Sequence, residues 1–70
     1  MKEIKSCLIE YIDGNIVAIN LNRVITIFYR NVTGYESMIV TLFADDYYTF
    51  DKTKVTEQSW ILLHAMMHSL

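Results

Sequence analysis

His64 and His68 stand four residues apart near the end of a 70-residue chain. On a helix, that spacing turns both imidazoles to one side, which is half of a metal site. Zinc asks for at least three protein ligands. Glu57 lies on nearly the same stripe, but two turns earlier and about 10 Å along an axis that rises 1.5 Å per residue. The pattern is not H-E-x-x-H. The plainer reading is a pair of surface histidines at a helix C-terminus, where positive charge is favoured.

Cys7 is the sole cysteine, which excludes an intrachain disulfide and a Cys-rich zinc site. With either histidine it could form a nucleophile–base pair. Its neighbours Ser6 and Leu8 offer nothing to activate the thiol, and a small half-buried hydrophobe is the simpler role. Asp45 and Asp46, with Asp51, are expected as an acidic cluster at one end of a sheet. Such carboxylates can serve Mg²⁺ or acid–base chemistry, but adjacent aspartates more often just form turns. Asn31-Val32-Thr33 fits a glycosylation sequon; with no export signal in the sequence it is read as chance. There is no glycine-rich phosphate loop, no Ser/His/Asp spacing and no cofactor motif. A non-catalytic protein without cofactor or metal is expected, since so short a chain has little room for a core and a shaped pocket of several hundred Å³.

The aromatics carry more information. Phe28, Tyr29, Tyr35, Phe43, Tyr47, Tyr48, Phe50 and Trp60 crowd into the second half of the sheet and the helix. Aromatic sheet faces can stack single-stranded bases, but that needs a basic groove. Only Arg23 and Arg30 lie nearby, with Asp45 and Asp46 opposing them. Six Lys and Arg in a chain of net charge −2 give no footprint for a phosphate backbone, so duplex nucleic acid is not expected as a partner. Protein interfaces use the same aromatics as anchors. Tyr35, Tyr47, Tyr48 and Trp60 are the candidate anchors, with Arg30, Asp45 and Asp46 as rim charges.

The elements that position these residues follow from pattern. No proline and two glycines imply short connections within one domain, residues 1–70. A hydrophobic content of 53% excludes disorder as the default. No apolar run approaches the ~18 residues of a membrane span. The N-terminal MKEIKSCLIE lacks an apolar signal core, and with one unpaired cysteine this points to a cytoplasmic protein.

Ile4 to Ile12 reads as a first strand and Ile16 to Ile19 as a second. Asp13-Gly14 or Gly14-Asn15 supplies a two-residue hairpin turn. Either one places Tyr11 with Ile16 and Ala18, and Ile12 with Val17 and Ile19; a slip of one residue would exchange these faces. Asn20 to Arg23 is a tight or 3₁₀ turn. Val24 to Arg30 and Ser37 to Phe43, rich in β-branched and aromatic residues, are central strands, joined by a loop over Asn31 to Glu36. Asp45-Asp46 turns into a short strand, Tyr47 to Phe50. Thr53, or alternatively Asp51, caps a helix running from Val55 to about His68. Its apolar arc holds Val55, Ser59, Leu62, Leu63, Met66, Met67 and Leu70, with Trp60 at the edge.

The sum is an α+β fold: an antiparallel meander of four to five strands with a C-terminal helix packed on one face. One helix covers one face. A wet second face should alternate polar with apolar residues, yet Val24 to Tyr29 and Ser37 to Phe43 put large apolar groups on both sides. Either the sheet closes into a barrel, or a second chain covers the open face. The edge strands also lack proline and lysine guards, and homodimers are the commonest symmetric assembly. The function expected is a small intracellular interaction or regulatory protein that self-associates, as a homodimer or higher homo-oligomer, and docks an aromatic surface on another protein, away from membranes. In composition the chain is similar to accessory proteins and inhibitors of phages and mobile elements. The alternatives are a homo-oligomer binding a small ligand or nucleotide and, more distantly, a metal-dependent enzyme built on His64, His68 and the acidic turn.

Overall fold

The first hairpin sets the layout of the inner layer. The computed structural model describes residues 6–69. Within them, β1 (Ser6–Glu10) pairs antiparallel with β2 (Ile16–Asn20); the expected strand start at Ile4 lies outside the described residues. The register is Ile9 against Val17 and Cys7 against Ile19. The connection is a three-residue loop. The Gly14 N–H donates to the Tyr11 carbonyl at 3.0 Å, the Tyr11 N–H donates to the Asn15 carbonyl at 2.8 Å, and Gly14 sits at φ +96°. A turn followed by a left-handed glycine makes a bulged hairpin in place of the two-residue turn. The extra residue exchanges the faces relative to the sequence expectation. Ile9 and Ile19 go to the core, and Ile12 is 68% exposed in the loop.

Asn20 then closes a single 3₁₀ turn over Leu21–Arg23, its side-chain oxygen accepting the Asn22 N–H at 3.0 Å. This corner breaks the strands into two sheets. β1 and β2 form one, while β3 (Val24–Val32), β4 (Tyr35–Leu42) and β5 (Asp46–Asp51) form a three-stranded meander. The fold is thus α+β with five antiparallel strands and a C-terminal helix, as the pattern indicates.

The β3–β4 connection is tighter than the sequence implied. Val32 pairs with Tyr35, leaving only Thr33 and Gly34 at φ 50° and 89°. Two successive positive φ values define a type I′ turn, whose twist suits a hairpin. Asn31 holds it, its side-chain oxygen accepting the Gly34 N–H at 3.1 Å. That amide is therefore part of the turn. At the other end of β3, the register shifts between Val24 and Thr26. Ile25 is the inserted residue of a β-bulge, half exposed at 50%, while Val24 turns toward the core.

The helix, α1 (Glu57–Ser69), begins later than expected. Thr56 is its cap: its hydroxyl accepts the Ser59 N–H at 3.2 Å, and its carbonyl accepts the Trp60 N–H at 2.9 Å. Asp51 and Thr53, the candidate caps, instead close the preceding turn. Asp51 Oδ1 accepts both the Thr53 N–H (2.8 Å) and the Thr53 hydroxyl (2.7 Å). Lys54–Thr56 is diverted because it pairs with β1. The Ile12 N–H donates to the Lys54 carbonyl at 3.0 Å, and the Thr56 N–H to the Glu10 carbonyl at 2.9 Å, around an isolated bridge of Tyr11 with Val55.

The core is one cluster. Met38, Val40 and Leu42 of β4 and Phe50 of β5 meet Ile9 and Ile19 of the hairpin, Val55, and Trp60, Leu63 and Met66 of α1. Hairpin and helix together cover one face of the meander. Its other face, on which Phe28, Ile39 and Thr49 lie in one row, has nothing packed on it among the described residues.

Candidate protein-docking surface

Register decides which face each side chain takes. Strand residues alternate, so with Tyr29 half-buried and Met38 and Phe50 buried on the inner face, their neighbours point outward. The outer face carries Thr26, Phe28, Arg30 and Val32 from β3. It carries Tyr35, Ser37, Ile39 and Thr41 from β4, and Tyr47, Thr49 and Asp51 from β5. Phe28 is 58% exposed, Tyr35 77% and Tyr47 64%. Ile39 on the central strand is half-buried between its neighbours. Phe28 and Ile39 are neighbours in one row, with Tyr47 in the next outward-facing row and Tyr35 beyond the row of Arg30, Ser37 and Asp51. Apolar groups gathered on an exposed sheet face mark a contact surface more often than chance.

The sequence candidates are distributed unequally. Tyr35 and Tyr47 both lie on the outer face, but six residues apart along the ladder, or about 20 Å at ~3.4 Å per residue. Tyr48 lies on the inner face beside Phe50, ring centroids 5.9 Å apart. Trp60 is 7% exposed and belongs to the core, against Tyr29 (6.5 Å) and edge-on to His64 (5.3 Å). It is therefore a packing residue, not an exposed anchor. Its place follows from the helix turning on its axis so that Trp60, Leu63 and Met66 lead into the core. Leu70, assigned to the same arc, lies outside the described residues.

The charges also regroup. Asp45 is in the β4–β5 turn at φ 59°, and Asp46 opens β5 opposite Leu42. Asp51 ends that strand opposite Ser37, five residues or about 17 Å away, so the three carboxylates form no single cluster. Arg30 lies opposite Ser37 from the other side, which makes Asp51 its neighbour in the row and puts Asp45 and Asp46 at the far end. Phe28, Ile39 and Asp51 were missed as surface candidates. Phe28 and Ile39 were visible as apolar residues on one side of their strands. Their pairing across the sheet becomes clear only once the two-residue turn at Thr33-Gly34 is known.

On the inner face, beside the helix, a polar group closes the core. Tyr29 donates to Glu36 Oε1 at 2.5 Å, Lys52 pairs with Glu36 Oε2 at 2.8 Å, and the Lys52 N–H donates to the Glu36 carbonyl at 3.1 Å. The Lys52 ammonium and the Tyr29 hydroxyl hold the Glu36 carboxyl below its ordinary range. The same bond to Glu36 raises the Tyr29 phenol, and Glu36 raises the Lys52 ammonium. Both carboxylate oxygens are engaged, so Glu36 acts as a structural acceptor. His64 packs on the Tyr29 ring at 5.6 Å, with His68 exposed one turn on. Among the described residues, no three His, Cys, Asp or Glu side chains converge as metal ligands. Cys7 is half-buried opposite Ile19, and burial raises its thiol pKa. None of the helix residues described is part of a span long and apolar enough to cross a membrane.

Comparison with protein-family models, curated proteins and solved structures gave no significant match. The functional reading therefore rests on this geometry alone.

Proposed function

We propose that the protein is a non-catalytic interaction module of the cell interior, a regulator or inhibitor that works by docking the outer face of β3–β4–β5 on a protein surface. One observation carries this reading. The meander is covered on one face by hairpin and helix, while the opposite face leaves Phe28, Tyr35 and Tyr47 exposed around a half-buried Ile39. Rigid aromatics on a sheet supply contact area at low entropic cost, and Arg30 and Asp51 give the rim its polarity.

Partner capture from the source cell tests it, with Phe28→Asp and Tyr47→Asp compared with Leu8→Asp, an exposed apolar residue of the hairpin. A stoichiometric partner lost by the first two variants and kept by the third supports the assignment. A partner retained by all three removes it.

One further observation favours a second reading, binding of a small molecule. A groove of about 370 Å³ runs between β1 and α1, lined by Leu8, Glu10, Gln58, Ser59 and Leu62 among others; that falls within the range of ligand sites. A ligand held there raises the melting temperature. A flat melt across a panel of nucleotides and metabolites excludes it for those compounds.

A further inference from the structure

We infer that the occupant of the outer face is a second copy of this chain, laid sheet against sheet about a two-fold axis parallel to β4; this rests on the docking assignment above. The charge pattern of the face carries the inference. In one row across the meander stand Arg30, Ser37 and Asp51, from β3, β4 and β5 in turn. The two charges are of opposite sign and symmetric about the central strand. Two strand spacings, about 10 Å, separate them, and they form no ion pair in the monomer. Asp51 Oδ1 is taken by Thr53, and Oδ2 has no partner among the described residues.

A two-fold axis lying over β4 and parallel to it exchanges the flanking strands. β3 of one copy then crosses over β5 of the other at the same height. Arg30 of each copy faces Asp51 of its mate, giving two identical ion pairs from one surface, as an isologous interface requires. In the next row, Ile39 meets its own equivalent on the axis, and Phe28 lies over the small Thr49. Aligned packing of two antiparallel sheets is a common sandwich geometry. An axis running across the strands gives no such match, because it lays Arg30 over Thr26 and Asp51 over Tyr47.

The test is sedimentation velocity on the full chain, with melts recorded in parallel. Wild type is expected to be a dimer. Arg30→Glu places two acidic pairs in the interface and Asp51→Lys two basic pairs, each raising the dissociation constant roughly 10- to 100-fold. An equimolar mixture of the two variants is expected to recover the dimer, since every facing pair in the heterodimer is then of opposite sign. Asp51→Asn keeps the Oδ1 acceptor for Thr53 and is the substitute if the lysine variant melts low; it is expected to weaken the dimer less than Arg30→Glu. A monomeric wild type overturns the inference but leaves the docking assignment to the capture experiment. A dimer broken by Phe28→Asp and indifferent to Arg30→Glu keeps the face and overturns this axis. A dimer indifferent to both forms elsewhere and overturns axis and face together.

Discussion

Ser59 joins the helix to the hairpin, and its removal gives the sharpest test of how the fold is held. Its Oγ accepts the Glu10 N–H at 2.8 Å and the Thr56 hydroxyl at 2.9 Å, in a residue that is buried. Glu10 is the last residue of β1, and its carbonyl is already bound by the Thr56 N–H. Ser59→Ala leaves the Glu10 N–H facing a methyl group and frees the cap hydroxyl of one partner. The Glu10–Ser59 bond is only part-buried and Glu10 itself is exposed, so its loss is expected to cost about 1 kcal/mol. For a domain of this size the melting temperature should fall by roughly 4–8 °C. The assay is urea denaturation and thermal melting followed by circular dichroism, with Ser69→Ala as the control. Ser69 bonds only the Met66 carbonyl at the helix end, at 3.0 Å, so its loss is expected to stay within about 0.5 kcal/mol. Equal stabilities for the two alanine variants would refute the claim that Ser59 clamps the helix onto β1.

Four further outcomes are expected. Gly34→Ala meets no steric contact but forces a side chain to φ +89°; it should cost about 1–2 kcal/mol in urea denaturation, with Gly34→Asn milder. Trp60→Ala, which empties a core position, should destabilise by about 3–5 kcal/mol, enough to unfold much of the population. Tyr47→Ala on the exposed face should leave the melt nearly unchanged. Glu36 has its folded pKa below the unfolded value, so its contribution is present above the ordinary carboxylate range and disappears as pH falls through the folded pKa. Carboxyl-detected NMR titration should show Glu36 ionising at lower pH than an ordinary glutamate, and Lys52→Met should move that titration upward.

The class of fold was legible because long β-branched runs and a single amphipathic segment leave few alternatives. Three details were not, each for a local reason. Asp13-Gly14 signals a hairpin, but the same dipeptide serves a two-residue turn or a three-residue bulged one, and only packing of Ile9 and Ile19 selects the latter. The bulge at Ile25 has no sequence mark, yet it reverses the alternation at the start of β3. Thr53 reads as a cap as well as Thr56 does, until β1 captures Lys54–Thr56. Of the candidate surface, Tyr35 and Tyr47, named from residue type, do lie exposed. Trp60 was misjudged because a helix edge on a wheel becomes core when both a hairpin and a sheet flank the helix. That Arg30 and Asp51 flank Ser37 in one row depends on register, which residue type alone does not reveal.

The most direct test of the exposed meander face as the meeting surface is a series of ¹H–¹⁵N correlation spectra recorded from micromolar to millimolar protein. Concentration-dependent shifts are expected at Phe28, Arg30, Ile39 and Thr49, with the outward helix residues Ile61, Ala65 and His68 unmoved. Shifts confined to the helix, or spectra identical across the series, would contradict the account.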